Sequence, residues 1–209
     1  MIWMEKSWKQ VPVGNDKPEA PKELPRCPKF IPSSLFMLEE SPELFKFLEE
    51  FERGLITPAD IKPEYLSLIG LDPKVELKDS LVVKGVGEKN PFVERAIETI
   101  YNSGNFTLGI LTNNGFWRKE QTTFIIEPDP RFNFVIESCR VGHRKPDASF
   151  FEIALKQMNL LASECVFIDD LEKNCLGAEA VGMTSIWLKD GNSMEAIEEL
   201  EKILNFKIL

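Results

Sequence analysis

The stretch Cys165-Val-Phe-Ile-Asp169-Asp170 is an apolar run that ends in two adjacent acids. A run this short and continuously apolar predicts a strand that is buried on both faces of a sheet. Helical patterns flank it at 147–159 and 172–181, and a second apolar strand at 184–188 precedes a helix at 193–204. Strands that alternate with helices in this way indicate an α/β protein whose parallel sheet carries helices on both faces.

The same alternation continues toward the N-terminus. A helix is predicted at 91–103, a strand at 107–112, and another strand at 133–137 after a long loop. In open α/β sheets, ligands bind beyond the carboxyl ends of the strands. Thr112 and the pair Asp169-Asp170 each end a predicted strand, so we expect them at the same edge of the sheet, named here the rim.

Residues 1–40 have a different composition. The run from Val11 to Pro25 is polar and interrupted by proline, without a sustained strand or helix period. We expect an irregular arm, with at best a short edge strand at 9–13. After the arm, Ser41-Pro42-Glu43 predicts the start of a helix that ends at Gly54, and Thr57-Pro58 predicts the start of a second helix.

The overall composition restricts the classes of function. The chain has 209 residues, 43% of them hydrophobic, and a net charge of −9. It has neither the basic patch that nucleic acid binding needs nor an apolar run near the roughly 20 residues that span a bilayer. We therefore expect a soluble cytoplasmic protein with no nucleic acid or membrane partner. Its four cysteines lack metal-binding spacing and are expected to be reduced, packed thiols: Cys27, Cys139, Cys165 and Cys175.

Two polar positions before the acidic pair suggest contacts with phosphate. The Thr112 hydroxyl and the backbone that follows it at Asn113 can hold phosphate oxygens at a strand end, although a threonine that only caps the loop explains the same residues. The Lys145 ammonium, just before a helix, can neutralise a phosphoryl group or a carboxylate nucleophile, although an ordinary solvated lysine is the more common case. The neighbouring His143 and Arg144 leave the identity of the functional cation open.

The pair Asp169-Asp170 suggests a metal site. Two acids at the end of an apolar strand are costly unless a cation meets them, and oxygen ligands together with phosphate and water suit magnesium. Asn174 lies one helical turn inside the next helix, where it can support the same site. The alternative is a helix cap, in which case Asp170 is the cap and Asp169 remains the ligand.

The order of these features resembles motifs two, three and four of the haloacid dehalogenase (HAD) superfamily. The N-terminal phosphatase domain of soluble epoxide hydrolases is more similar still, and related domains precede some acyl-CoA dehydrogenases. The resemblance covers about residues 42–206. Its segments are Phe51-Glu-Arg-Gly-Leu-Ile-Thr57, Ile110-Leu-Thr-Asn113, Phe134-Val-Ile-Glu-Ser-Cys-Arg-Val-Gly142, Lys145-Pro146 and Val166-Phe-Ile-Asp-Asp170.

This resemblance implies a Rossmann-like core with a helical cap, divided into an irregular arm (1–40), a reduced cap (41–85) and a HAD-like α/β core (86–209). It implies hydrolysis of a small phosphorylated molecule by an aspartate nucleophile, with a second aspartate two residues later as general acid and base. Magnesium would be held by the nucleophile, a backbone carbonyl and the position of Asp169. Thr112 and Lys145 would be catalytic residues that bind the transferring phosphoryl group. The subfamily also suggests a homodimer.

The motif that should carry the nucleophile is missing. It requires an apolar strand ending in Asp-x-Asp, yet the only aspartate before Phe51 is Asp16, which follows no apolar strand and has Pro18 two residues later. In this family that strand lies at the centre of the sheet, between the strands of Thr112 and Asp169. The central first strand is therefore expected to be missing or replaced.

Several explanations fit this absence. The chain is an incomplete or alternatively spliced product, or the arm around residues 7–13 refills the slot, or a longer form carries the motif upstream. We expect a HAD-like hydrolase relative of phosphate-monoester phosphatase lineage that is inactive as written. The alternative is an active magnesium-dependent phosphatase with an unrecognised or upstream nucleophile. A metal-free dehalogenase is least favoured because it needs the same aspartate.

Overall fold

The computed structural model describes residues 2–4, 42–57, 60, 90–116, 123 and 129–209. In this part of the chain the strands are β1 (Ile2–Met4), β2 (Thr107–Thr112), β3 (Phe134–Glu137), β4 (Cys165–Asp169) and β5 (Thr184–Trp187). The α-helices are α1 (Pro42–Glu52), α2 (Pro91–Ser103), α3 (Ser138–Val141), α4 (Ala148–Met158), α5 (Glu172–Ala180) and α6 (Ser193–Leu204). Short 3-10 turns cover Ala162–Glu164 and Lys189–Gly191.

Local sequence explains where the helices begin and end. α2 begins after Asn90, whose side chain accepts the N–H groups of Phe92 and Val93, and it ends at Gly104, whose φ of 65° lies in the left-handed region. From residue 91 onward the predicted alternation of strands and helices is confirmed, and the observed bounds differ from the predicted ones by at most one residue. The short helix α3 was not predicted.

The strands form one sheet in the order β3-β2-β1-β4-β5. β2 and β3 are parallel, with Thr112 opposite Glu137, and β4 and β5 are parallel, with Asp169 opposite Trp187. Because β1 is antiparallel to both β2 and β4, the other four strands all run in one direction. Thr112 and Asp169 therefore both end at the rim, as the sequence predicted.

The centre of the sheet differs from the expected parallel arrangement. β1 lies between β2 and β4 and pairs with both, with Ile2 opposite Gly109 and Phe167. The irregular arm predicted for residues 1–40 is therefore wrong at Ile2–Met4, which replaces the missing central strand. Strand replacement is favourable because the facing edges of β2 and β4 would otherwise leave backbone groups unpaired.

The direction of β1 has a chemical consequence. Its last residue, Met4, lies opposite Thr107 and Cys165, at the amino ends of β2 and β4. The carboxyl end of β1 is therefore at the edge opposite the rim, whereas the family's nucleophile follows a strand that ends at the rim. Residues 7–13, which one of the explanations above places in the slot, lie outside the described residues.

Helices cover both faces of the sheet, as predicted. On one face α4 and α5 pack on β2, β3 and β4, around the fully buried rings of Phe150, Phe151 and Phe167. On the other face α2 and α6 pack on the same sheet through Ile100 and Leu200. Burial of such side chains contributes about 1.5–3 kcal/mol each, which makes these two layers the main source of stability. None of the described helices is long and apolar enough to cross a membrane.

Helix α1 packs beside α3, on the side of the core that carries the rim. The Phe51 ring of α1 lies against Gly115 in the loop after β2, where a side chain would collide with it. Beyond α1, the Asp60 carboxylate accepts the Thr57 N–H (2.8 Å) and hydroxyl (2.9 Å). The rest of the second helix predicted from Thr57-Pro58 lies outside the described residues, and the division into arm, cap and core stays a prediction.

Three of the four cysteines lie in the described part of the chain. Cys139, Cys165 and Cys175 are free and buried, as predicted, and Cys27 lies outside the described residues. Burial raises the pKa of the Cys139 thiol to about 11 and that of Cys165 to about 12. These thiols are therefore protonated packing groups rather than nucleophiles.

Candidate functional site

Lys145 lies in the loop between α3 and α4, and Asn113 holds that loop against β2. The Asn113 Nδ2 donates to the Lys145 carbonyl (3.0 Å), and its Oδ1 accepts the Lys145 N–H (2.8 Å). From this fixed backbone the Lys145 Nζ donates to the Leu111 carbonyl (3.0 Å) and to Asp169 Oδ2 (2.6 Å). One ammonium therefore connects the rim ends of β2 and β4.

The Leu111 carbonyl faces the centre of the sheet. The Asn133 N–H donates to the Leu108 carbonyl (2.8 Å), so Leu108 faces β3. Because successive residues of a strand face alternate neighbours, Gly109 and Leu111 face the side of β1. The described pairing of β1 with β2 reaches Gly109 and does not include Leu111. The Lys145 ammonium thus binds a backbone acceptor at the centre of the sheet, just beyond Ile2, the first described residue of β1.

Asp169 is the buried carboxylate of the rim. Its Oδ1 accepts the Leu171 N–H (2.9 Å) and the Asn174 Nδ2 (2.8 Å), while its Oδ2 accepts Lys145. Burial pushes the pKa of Asp169 up, but the Lys145 charge and these hydrogen bonds together hold the pKa below its usual value. Asp169 is therefore ionised at neutral pH, and protein donors engage both of its oxygens.

The two predicted phosphate-binding residues after β2 differ in their contacts. Thr112 is partly exposed, and among the described residues its hydroxyl makes only a long contact, 3.3 Å, to the Asn113 carbonyl. A hydroxyl held this loosely can rotate toward a ligand. The Asn113 side chain, by contrast, is committed to the Lys145 backbone. Its observed contact is one that positions Lys145.

Asp170 and Asp169 have separate environments. Asp170 is exposed, and its carbonyl accepts the Trp187 Nε1–H at 3.1 Å. The cap position of α5 is Leu171, so the expected Asp170 cap is wrong. The carboxylate that accepts the N–H of this turn belongs to Asp169, because a side chain two residues before the amide can close the turn.

Only one of the three neighbouring basic residues contacts the rim acid. Arg144 donates to Glu52 (2.5 Å) and Glu49 (3.3 Å) of α1, and the His143 Nδ1 lies 2.8 Å from the Ser149 hydroxyl. Lys145 alone of these three contacts Asp169. Of the three candidates that the sequence left open, Lys145 is thus the one that the structure places beside Asp169.

A second buried polar cluster at the rim escaped the sequence analysis. The Glu137 carboxylate, at the end of β3, accepts the Asn114 Nδ2 (2.6 Å) and the Arg140 Nε (2.6 Å). The Ser138 hydroxyl donates to the Asn114 carbonyl and accepts its N–H. The available signal was an acid at the end of the apolar strand Phe134–Glu137, the same pattern that singled out Asp169.

The described residues of the rim fit a magnesium ion poorly. Magnesium takes about six oxygen ligands and is usually bound through one or two carboxylates together with water and phosphate. Asp169 has both oxygens engaged, and no group of three or more His, Cys, Asp or Glu side chains that could hold a metal occurs in the described part of the chain. Asn174 Oδ1 is a buried acceptor without a hydrogen-bond partner there, and a single amide oxygen does not make a site.

Comparison with known proteins identifies the class to which this fold and rim belong. A family model described as haloacid dehalogenase-like hydrolase matches residues 14–182. The chain therefore belongs to the haloacid dehalogenase-like hydrolase family, in agreement with the resemblance of its motifs.

Curated relatives include a phosphatase and two much longer proteins. The chain is 31% identical to bifunctional epoxide hydrolase 2 of Sus scrofa over 152 residues, which is 66% of this chain and 26% of that protein. It is 32% identical to acyl-CoA dehydrogenase family member 10 of Mus musculus over 162 residues, 78% of this chain and 14% of that protein. It is 29% identical to a sesquiterpene phosphatase of Aspergillus oryzae over 156 residues, 75% of this chain and 78% of that protein. The chain thus matches only 26% of the first protein's length and 14% of the second's.

Solved structures show the same fold. A HAD family enzyme from Bacteroides thetaiotaomicron, solved in complex with magnesium and inorganic phosphate, superposes with a TM-score of 0.54 at 16% identity. The superposition covers 82% of this chain and 93% of the enzyme. Magnesium is therefore found in a protein of this fold.

Proposed function

We propose that this chain is a non-hydrolytic member of the phosphatase lineage of the HAD family. The observation that carries the proposal is the 2.6 Å contact between Lys145 Nζ and Asp169 Oδ2. A catalytic lysine of this family is expected to face a phosphoryl group and a nucleophilic aspartate. Here the ammonium instead faces Asp169 itself, the position that the family resemblance assigns to the metal, and the sequence before Phe51 contains no Asp-x-Asp.

Two other acids near the rim, Glu137 and Glu52, support this proposal. A carboxylate nucleophile has to be free to approach phosphorus in line with the leaving group. The Glu137 carboxylate is bound by Asn114 and Arg140, and the Glu52 carboxylate is bound by Arg144. Each of these side chains is thus engaged in the way that Asp169 is, and β1 ends at the opposite edge of the sheet.

A small phosphorylated molecule is the ligand class that we propose for the rim. An ammonium has three N–H donors, of which Lys145 uses two on Leu111 and Asp169, and the Thr112 hydroxyl is loosely held. Binding by one hydroxyl and one partly neutralised ammonium should be weak. Nucleic acid and membrane surfaces are not proposed as partners, because a net charge of −9 repels both phosphate backbones and anionic lipids.

The test measures turnover of a generic aryl phosphate by the purified chain. Three samples are compared: wild type with magnesium, wild type with EDTA in place of magnesium, and Asp169→Asn with magnesium. We expect wild-type turnover equal to that of the variant and of the EDTA sample, with circular dichroism showing that both proteins are folded. Magnesium-dependent turnover that the variant loses would overturn the proposal. Should Asp169→Asn fail to fold, the EDTA arm still decides the question on wild-type protein.

The competing function is an active phosphatase that uses a carboxylate of this chain. The observation that favours it is the raised pKa of Glu52. Burial raises this pKa more than the charges of Arg144 and Lys145 lower it. Perturbed carboxyl groups near a rim are candidates for acid–base roles. If turnover is found, Glu52→Gln and Asp170→Asn identify the carboxylate responsible.

Assembly and location follow from the lineage and composition. We propose a homodimer in the cytoplasm, on the basis of the subfamily resemblance and of the reduced state expected for the cysteines. Light scattering on the purified chain tests the dimer, and a monomeric mass at micromolar concentration would reject it.

A further inference from the structure

We propose that Lys145 is the permanent counter-cation of Asp169, so that the rim of this chain does not bind a divalent metal ion. The inference extends the proposed function of the same site, but its test is separate. A chain without turnover that still binds magnesium would contradict this inference and leave the proposed function standing. Turnover in the absence of metal would contradict the proposed function and leave this inference standing.

Charge balance is the first argument. Lys145 and Asp169 carry one positive and one negative charge, and their side chains are only 8% and 4% exposed. A divalent ion added to this neutral pair would bring two uncompensated positive charges into a buried place. Such charges are expensive to desolvate unless carboxylates pair with them. The charge of a divalent metal ion would be balanced only if further acids lay beside Asp169.

Occupied ligand atoms are the second argument. The two oxygens of Asp169 receive three hydrogen bonds, from Lys145, Leu171 and Asn174. The Leu111 carbonyl, a second hard oxygen at this point, is also bound by Lys145. A metal ion would have to displace the ammonium from both the Leu111 carbonyl and Asp169 Oδ2. The displaced ammonium would then stay beside a divalent cation, because Asn113 fixes the lysine backbone.

Removal of the ammonium should therefore create a cation site. Lys145→Met keeps an unbranched apolar side chain of similar length but frees the Leu111 carbonyl and Asp169 Oδ2. Asn174 Oδ1 is already a buried acceptor without a partner in the described part of the chain. These are the oxygen ligands that magnesium and calcium prefer. The wild-type protein should not bind the metal at the rim, and the Lys145→Met variant should bind it there.

The experiment is thermal unfolding with millimolar magnesium chloride, at ionic strength kept constant with sodium chloride. It compares the wild type, Lys145→Met and the double variant Lys145→Met/Asp169→Leu. The double variant has the same acidic surface but no rim carboxylate, and so reports non-specific binding. Without metal, Lys145→Met should lose about 6–20 °C in Tm because it leaves a buried charge unpaired, whereas the double variant should lose much less.

The expected result is that magnesium raises the Tm of Lys145→Met only, since a ligand of the native state stabilises by mass action. A magnesium-induced rise in the wild-type Tm beyond that of the double variant would overturn the proposal. An unresponsive Lys145→Met would also overturn it. Because Lys145→Met risks failing to fold, manganese titration of the wild type, followed by electron paramagnetic resonance, is the second measurement. Stoichiometric binding that is lost in the double variant would contradict the proposal, and the absence of such binding would support it.

Discussion

Arg144 Nε donates to Glu52 Oε2 at 2.5 Å and thereby joins helix α1 to the residue that precedes Lys145. The Arg144 side chain is 8% exposed and that of Glu52 is 15% exposed, so the pair is largely shielded from water. Glu49, one turn earlier on α1, contacts the same guanidinium at 3.3 Å. Arg144 thus holds the only described helix of the predicted cap against the loop that aims Lys145 at Asp169.

Arg144→Ala should destabilise the protein by about 2–4 kcal/mol, because it leaves the partly buried Glu52 carboxylate without its cation. The matched control is Arg53→Ala, which removes the neighbouring but more exposed ion pair with Asp147 and should cost less than about 1 kcal/mol. Urea unfolding measures both free energies. Equal losses of unfolding free energy in the two variants would show that the Arg144 contact stabilises the protein no more than an exposed ion pair does.

Gly54→Ala should be much more destabilising than Gly104→Ala. Both glycines have positive φ, 72° and 65°, so each substitution carries the left-handed penalty of roughly 1–2 kcal/mol. A Cβ at Gly104 meets open space, whereas at Gly54 it would collide with the Cys139 carbonyl and the Phe116 ring. The extra loss at Gly54 should exceed about 1 kcal/mol in chemical denaturation. Similar losses at both positions would mean that α1 is not closely packed on α3.

The half of the fold after residue 90 could be predicted because its signals are local. Each strand is a short apolar run, helices such as α2 and α6 have a clear period, and caps such as Asn90 and Gly104 mark the ends. The central strand could not be predicted in the same way. Ile2–Met4 is three residues long, and only the exposed edges of β2 and β4 explain why it becomes a strand.

The rim could be predicted in part for a similar reason. Residues at strand ends converge by topology, so Thr112 and Asp169 could be placed at one edge of the sheet, whereas the contact of the loop residue Lys145 with Asp169 could not. The Asn113 contact with the Lys145 backbone joins residues 32 positions apart, and the Arg144 contact with Glu52 joins residues 92 apart. Such contacts depend on tertiary packing, and no spacing rule in the sequence announces them.

The Asp169 carboxylate should contribute to acid unfolding. Its pKa in the folded protein is lowered, so the folded state binds fewer protons than the unfolded state near and below the ordinary aspartate pKa of about 3.9. The stabilisation is fully present above that pH and is lost as pH falls through the folded pKa. The free energy of unfolding should therefore fall less steeply with acid in Lys145→Met/Asp169→Leu than in the wild type.

Glu201 supplies the control for that comparison. Its pKa is lowered to about 2 by the N–H groups of Leu209 and Ile208 and by Lys207, far from the rim. Glu201→Gln should leave the Asp169 contribution in place. Urea titrations between neutral pH and the acid limit measure each slope, and an unchanged slope in the double variant would contradict the role given to Asp169.

The backbone of β1 should be essential to the sheet, because β1 is the strand that joins the β3-β2 pair to the β4-β5 pair. By strand alternation the Trp3 N–H faces β4, opposite Val166, so Trp3→Pro should remove a central ladder bond and cost roughly 2–4 kcal/mol. Trp3→Ala keeps that N–H and separates the backbone effect from any side-chain effect. Glu172→Pro, at the first position of α5 where proline is tolerated, should stay within about 0.5 kcal/mol of wild type. If Trp3→Pro unfolds in urea no earlier than Trp3→Ala, β1 does not hold the two halves of the sheet together.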